Sequence, residues 1–153
     1  MCGIAGIIDL AEQRPVPEEC VRKMARALVQ RGPDEEGFFF QPGVALASRR
    51  LSIVGLADGQ QPVTNEEGNV VVVFNGELFD HLEKRKELEA RGHRLVKHCD
   101  TEVIPHLWEE HQRGMFERLR GQFAIALWDQ HGRRLVLGRD RFGICPLYWT
   151  RQG

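Results

Sequence analysis

An α+β fold, with helices packed on antiparallel sheet, is the class this sequence predicts, and three observations predict it. Apolar runs of strand length recur along the chain and are separated by Gly- and Pro-bearing turns short enough to favour antiparallel pairing. Helical segments with start and stop signals lie between them. The chain has 153 residues, 42% of them hydrophobic, which suits one domain with one substantial core. It shows no internal repeat, linker or low-complexity tract.

Taken in order, residues 3–9 are apolar and β-branched and read as a buried strand. Over residues 17–30, Val21, Met24, Ala25, Leu28 and Val29 fall on one helical face, with Pro15 and Pro17 at the start and Gly32-Pro33 as the stop. Phe38–Phe40 and Val44–Leu51 predict two strands about a Pro42-Gly43 turn. Asn69–Phe74 predicts another strand. Asp80 with Glu83 suggests a capping box for a helix running to Arg91, which Gly92 ends. Arg94–Lys97 reads as a short strand, and Asp100 as the cap of a helix containing Val103, Leu107 and Trp108. Phe123–Trp128 and Leu135–Gly138 form a hairpin about His131-Gly132, and Pro146–Thr150 reads as one more strand.

Net charge is -1, which gives no reason to expect nucleic acid or an anionic membrane as a partner. No apolar run approaches the roughly 20 residues needed to span a bilayer. The opening MCGIAGIIDL lacks a basic segment and carries Asp9, so it does not read as a secretion signal. The four cysteines are widely spaced without a CxxC pair, which fits reduced thiols in a cytoplasmic protein. His106 and His111 suit neither one helix face nor a common zinc spacing, so no metal site is expected.

Cys2 is the first residue with chemical potential. If Met1 is removed, its thiol and free α-amine share one residue, and an amine of pKa about 7.7–8.0 is partly a base at neutral pH. Nucleophile and base are then together. Cys2 alone equally fits a small residue buried in a first strand. Asn75-Gly76-Glu77 ends an apolar strand, where an Asn amide and a Gly N–H can form an oxyanion hole. The same Asn-Gly pair also signals a hairpin turn. Arg50 and Asp100 suit the carboxylate and the ammonium of an amino acid, although a solvated Arg and a simple helix cap account for them as well. The loops Arg31-Gly32-Pro33-Asp34 and Gly138-Arg139-Asp140-Arg141 mix both charge signs and read as turns tied by internal ion pairs.

Several segments together resemble class II glutamine amidotransferases, in particular the N-terminal domain of glutamine-dependent asparagine synthetases. They are MCGIAGIID at the start, RGPDEEG at 31–37, RLSIVGL at 50–56, FNGELFDH at 74–81, DTEVI at 100–104, GQFAIALWD at 121–129 and GRDRFGICPLYW at 138–149. The resemblance implies the N-terminal-nucleophile hydrolase fold, a four-layer αββα sandwich of antiparallel sheets. It implies Cys2 as nucleophile, Asn75 and Gly76 as oxyanion hole, and Arg50 as ligand of the glutamine α-carboxylate. Glu77 and Asp100, with Gly76, resemble the residues that hold the substrate's amino and amide ends. Arg31, Asp34, Arg139 and Asp140 match loops near the site and are expected to be architectural first. The implied reaction hydrolyses glutamine to glutamate and ammonia through a Cys2 thioester. In the full enzyme the ammonia feeds ATP-dependent synthesis of asparagine from aspartate.

Ser48, Arg49, Lys84 and Cys145 depart from the family's usual residues, and Lys84 suggests a looser helix. No Ser-Gly-Gly-x-Asp-Ser loop occurs. The expectation is therefore residues 1–153 as an amidotransferase domain incomplete at its C-terminus, needing no cofactor itself. ATP and Mg2+ belong to a synthetase domain supplied in cis or in trans. A homodimer stays open. Two other readings also stay open: a catalytically silent remnant, and an amidotransferase domain serving a different acceptor.

Overall fold

A computed structural model of the chain describes residues 2–52 and 59–151. Met1, and the Ile53–Leu56 part of the RLSIVGL segment, lie outside the described residues. The strands are β1 (Gly3–Ile8), β2 (Glu35–Gln41), β3 (Val44–Arg50), β4 (Val63–Thr64), β5 (Val70–Leu78), β6 (Gly121–Asp129) and β7 (Arg134–Arg139). The helices are α1 (Glu18–Ala27), α2 (His81–Ala90), α3 (Val103–His111) and α4 (Met115–Arg118). A 3₁₀ turn over Asp100–Glu102 leads into α3.

Two antiparallel sheets form, with orders β1-β3-β2 and β4-β5-β6-β7. Side chains alternate across a strand, so each sheet sends one set inward and one outward. From β3, Val44 and Leu46 meet Val71 and Val73 of β5 and Ala126 and Trp128 of β6 between the sheets. Ala45 and Ala47 point the other way, under Val21 and Ala25 of α1. Val70, Val72 and Phe74 of β5 and Phe123, Ile125 and Leu127 of β6 pack on the far side against Val103, Ile104, Leu107 and Trp108 of α3. Three apolar seams thus separate four layers: α1, the three-stranded sheet, the four-stranded sheet, and the α2–α4 group. This is the αββα sandwich that the resemblance implied.

Local differences have physical causes. Helix α1 is shorter than residues 17–30, and of its expected apolar face only Val21 and Ala25 are fully buried; Met24 and Val29 are each 39% exposed. Strand β5 does not end at Phe74. It runs on through Asn75-Gly76-Glu77, which pair with Ala124, Phe123 and Gln122 of β6, so neither a strand end nor a hairpin forms there. Asp80 makes no side-chain cap to α2, so the capping box does not form. Asp100 caps no helix either, because its carboxylate accepts from the Leu78 N–H at 3.0 Å. Residues 94–97 are not a strand. They are tethered through backbone carbonyls of Leu95 and Lys97 to Arg85, and through the Val96 and Lys97 N–H groups to Glu102. Residues 146–150 also form no strand, and Tyr148 and Trp149 lie largely exposed. Lys84 faces Glu87 at 3.3 Å, and Leu88 is the one α2 residue that is fully buried among those described.

Candidate active site

The alternation that builds the core also aims the site. On β3 the even-numbered residues face the second sheet, so Ser48 and Arg50 continue the row of Val44 and Leu46. Antiparallel pairing of Gly3 with Arg49 puts Cys2, one step beyond, beside Arg50. On β5, Asn75 and Glu77 continue the inward row of Val71 and Val73. Both rows run out at the same end of the sandwich. There a cavity of about 640 Å³, counting its open mouth, is lined by Cys2, Arg50, Gly76, Glu77 and Asp100, together with Gln61, Cys99, Gln122 and Cys145.

Each expected residue has a definite place. Cys2 is half-buried, and its Sγ lies 3.8 Å from the Leu51 carbonyl. Arg50 is 4% exposed, with Nη1 2.7 Å from Glu35 Oε2, an ion pair that orients the guanidinium from behind. Asn75 sits next to the cavity, not on its lining; its side chain is buried, and Oδ1 has no hydrogen-bond partner among the described residues. Gly76 has φ of 155°, and a Cβ there would lie 2.7 Å from Phe123 Cα and collide with the Gln122 carbonyl. Only a glycine lets β5 approach β6 this closely while the cavity stays open. Glu77 is exposed at the rim.

Burial pushes the Asp100 carboxyl above the usual aspartate range, against the Leu78 N–H that favours its charge. Burial likewise raises the Cys99 and Cys145 thiols, for Cys145 with Asp140 adding to it. Those two cavity thiols are therefore held protonated. Cys2, only partly buried, is the cavity thiol open to a substrate.

The two charged loops divide their work. Arg31 Nε donates to the Cys2 carbonyl at 3.2 Å, so this side chain touches the backbone of Cys2. Asp34 accepts from the Ser52 N–H at 2.8 Å and pins the chain after β3. Asp140 accepts from the N–H groups of Phe123, Phe142, Ile144 and Cys145, at 3.0–3.2 Å. Burial opposes its ionisation, but these donors outweigh burial and hold the carboxyl below the usual range. The same bonds carry Cys145 into the cavity wall. Arg139 Nη2 reaches the Gly143 carbonyl at 2.6 Å, closing that loop.

Sequence reasoning missed several contributors. Arg49, on the opposite face of β3 from Arg50, donates to the Gly32 and Pro33 carbonyls and pairs with Glu36, so it holds the RGPD loop in place. Gly32 allows this loop to press onto the Arg49 backbone, which a Cβ would strike. Gln61 Oε1 accepts from the Phe74 N–H at 2.7 Å, and its carbonyl accepts from Ser48 Oγ at 3.3 Å, bridging the sheets at the cavity. Adjacent basic residues on one strand were a usable signal for Arg49, since alternation must send them to opposite faces.

A family model described as a glutamine amidotransferase domain matches residues 1–153. This chain belongs to the glutamine amidotransferase domain family. The amidotransferase domain is 44% identical over 154 residues to glutamine-hydrolyzing asparagine synthetase 2 of Bacillus subtilis, covering 98% of this chain and 20% of that protein. It is 37% identical to asparagine synthetase 1 of the same organism, covering 98% of this chain and 24% of that one. Asparagine synthetase 2 of Oryza sativa is 37% identical, with 100% of this chain and 26% of the relative covered. The domain thus spans about a quarter or less of the length of these relatives. Among solved structures it is similar to glutamine phosphoribosylpyrophosphate amidotransferase of B. subtilis, with TM-score 0.47, 16% identity, and coverage of 83% of this chain and 29% of that one.

Proposed function

We propose that this amidotransferase domain hydrolyses glutamine to glutamate and ammonia through a thioester on Cys2, after removal of Met1. The observation that carries this reading is the single cavity that joins Cys2, Arg50, Gly76, Glu77 and Asp100 from separate segments. Arg50, set by Glu35, takes the α-carboxylate; Asp100 and Glu77 take the α-ammonium at the opposite wall. The side-chain carboxamide is then directed at Cys2. The thiol sulfur forms the C–S bond, and its proton passes through the freed α-amine of Cys2 to the departing nitrogen, which leaves as ammonia. The tetrahedral oxyanion is held by the Asn75 carboxamide and the Gly76 N–H. Water, deprotonated by the same amine, cleaves the thioester and releases glutamate.

The names of the relatives support a further step. The ammonia is passed to a synthetase domain, in cis or in trans, that would make asparagine from aspartate at the expense of ATP, with Mg2+ as the cofactor held there. Among the described residues no helix is long and apolar enough to cross a membrane, and the cytoplasm is the compartment proposed. The test is incubation of Met1-processed protein with glutamine, measuring glutamate and ammonia. Turnover is expected in the native chain and none in Cys2→Ala, with an unchanged melting temperature because the Cys2 Sγ hydrogen bond to the Leu51 carbonyl is long, at 3.8 Å. A folded, processed protein without turnover would overturn the reading and favour a domain that binds glutamine without cleaving it.

A further inference from the structure

Away from the cavity, three segments distant in sequence bring four side chains to one point. Glu66 comes from the turn between β4 and β5, His93 from the loop after α2, and His106 and Glu109 from α3. One donor atom from each lies within 4.8 Å of the other three. His106 Nδ1 is 3.2 Å from Glu66 Oε2 and 3.3 Å from Glu109 Oε2. His93 Nδ1 is 3.9 Å from Glu66 Oε1 and 3.7 Å from Glu109 Oε2. Tetrahedral coordination at bond lengths of about 2.0–2.1 Å separates ligand atoms by roughly 3.3 Å, close to these spacings.

Two further observations point to a ligand at the centre. The His106 side chain is 1% exposed, yet among the described residues its Nδ1 forms no hydrogen bond of acceptable geometry, although two carboxylates are near. A buried ring nitrogen without a partner is costly, and a metal ion removes that cost. The other atoms of the cluster are braced from outside. Glu66 Oε1 accepts from the Arg94 N–H at 2.6 Å, and Glu109 Oε1 accepts from Asn65 Nδ2 at 2.7 Å. His93 Nε2 lies 3.0 Å from Glu110 Oε1, while Nδ1 turns inward. A carboxylate behind a histidine in this way fixes ring orientation and strengthens the inward nitrogen as a ligand.

We infer that Glu66, His93, His106 and Glu109 bind one divalent transition-metal ion of the zinc class in a closed, structural site. Two imidazoles and two carboxylates match the preferences of such an ion and neutralise its charge. The ion cross-links the β4–β5 turn, the loop after α2, and α3, whose leading turn carries Asp100 into the cavity. Spacing along the chain did not reveal this set, since no two of the ligands except His106 and Glu109 are near in sequence.

The experiment uses the full chain, stripped with chelator and desalted, then given equimolar Zn2+ or Co2+. One ion retained per chain after gel filtration is expected, with visible d–d bands of tetrahedral Co2+ and no thiolate-to-cobalt charge-transfer band. Zn2+ should raise the melting temperature, and chelator should reverse the rise. His106 is buried, so variants are placed at the partly exposed ligands: His93→Asn and Glu109→Gln should each weaken Zn2+ binding roughly 100-fold, and Glu110→Gln about 10-fold, with circular dichroism unchanged. Failure to retain an ion overturns the site. Retention undiminished in both ligand variants, or a thiolate band, overturns it as well by locating the ion on other groups.

Discussion

Gly76→Ala tests the geometry of the candidate site at its tightest point. At φ of 155° a Cβ would lie 2.7 Å from Phe123 Cα, with the Gln122 carbonyl nearer still. Carbon atoms normally stay about 3.5–4.0 Å apart, so β5 and β6 must separate by about 1 Å. Backbone strain at a glycine-only conformation costs about 1–3 kcal/mol, and overpacking a further 1–3. A total of roughly 2–6 kcal/mol corresponds to a fall in melting temperature of about 4–24 °C for a chain of this size. The displaced residues include Asn75 and Gly76, and a 1 Å error in catalytic geometry can cost about 100-fold in rate. Glutamate release at limiting glutamine, measured below the melting transition, should fall by at least that factor. Gly68→Ala is the control. Gly68 also has positive φ, at 69°, but a Cβ there meets nothing within 4 Å; it should lose about 1 kcal/mol and keep its activity. A Gly76→Ala protein with native melting temperature and native turnover would refute both the close approach and the role given to this strand.

Three other outcomes are expected. Arg50→Lys should raise KM for glutamine about tenfold or more with less effect on kcat, because a point charge cannot replace a planar fork; an unchanged KM would remove Arg50 as the carboxylate ligand. Asp100 titrates above the usual aspartate range because it is buried, so it loses its charge sooner on acidification, and KM should climb at a pH above the ordinary carboxylate region. Asp100→Asn should abolish that acidic limb, and a pH profile of KM identical in both proteins would exclude Asp100 as the ammonium partner. Asp140→Asn should destabilise the fold by about 2–4 kcal/mol in chemical denaturation, since an amide opposes some of the four N–H groups the carboxylate accepts. Its carboxyl is held below the usual range. Its contribution is therefore present above the unfolded pKa and lost as pH falls through the lower folded one. The native and variant stabilities should converge in strong acid, and a constant gap at all pH values would contradict this.

Local pattern made most of the fold legible. The β-branched runs 3–8 and 70–74 and the small apolar run 44–47 read as strands, and the helical spacing of Val21 and Ala25 could bury only one side of a helix. The hairpin of β6 and β7 was legible from two apolar runs about a Gly-bearing turn. These features depend on neighbours a few residues apart. Segments whose state depends on distant partners were misjudged. Residues 94–97 look like a strand but are held by Arg85 and Glu102. Asn75-Gly76 looks like a turn, but β6 offers a pairing edge through Leu78↔Gly121.

By itself the sequence determined the fold class, the family, and which residue types could do chemistry. The tertiary structure decided which of them meet. It sent Arg50 into the cavity and Arg49 away from it, turned Asp100 from a helix cap into a buried acid bonded to Leu78, and gathered Glu66, His93, His106 and Glu109 outside the cavity lining. The reason is that side-chain period is set locally by the backbone, whereas the meeting of two faces is set by how sheets and helices close over a shared core.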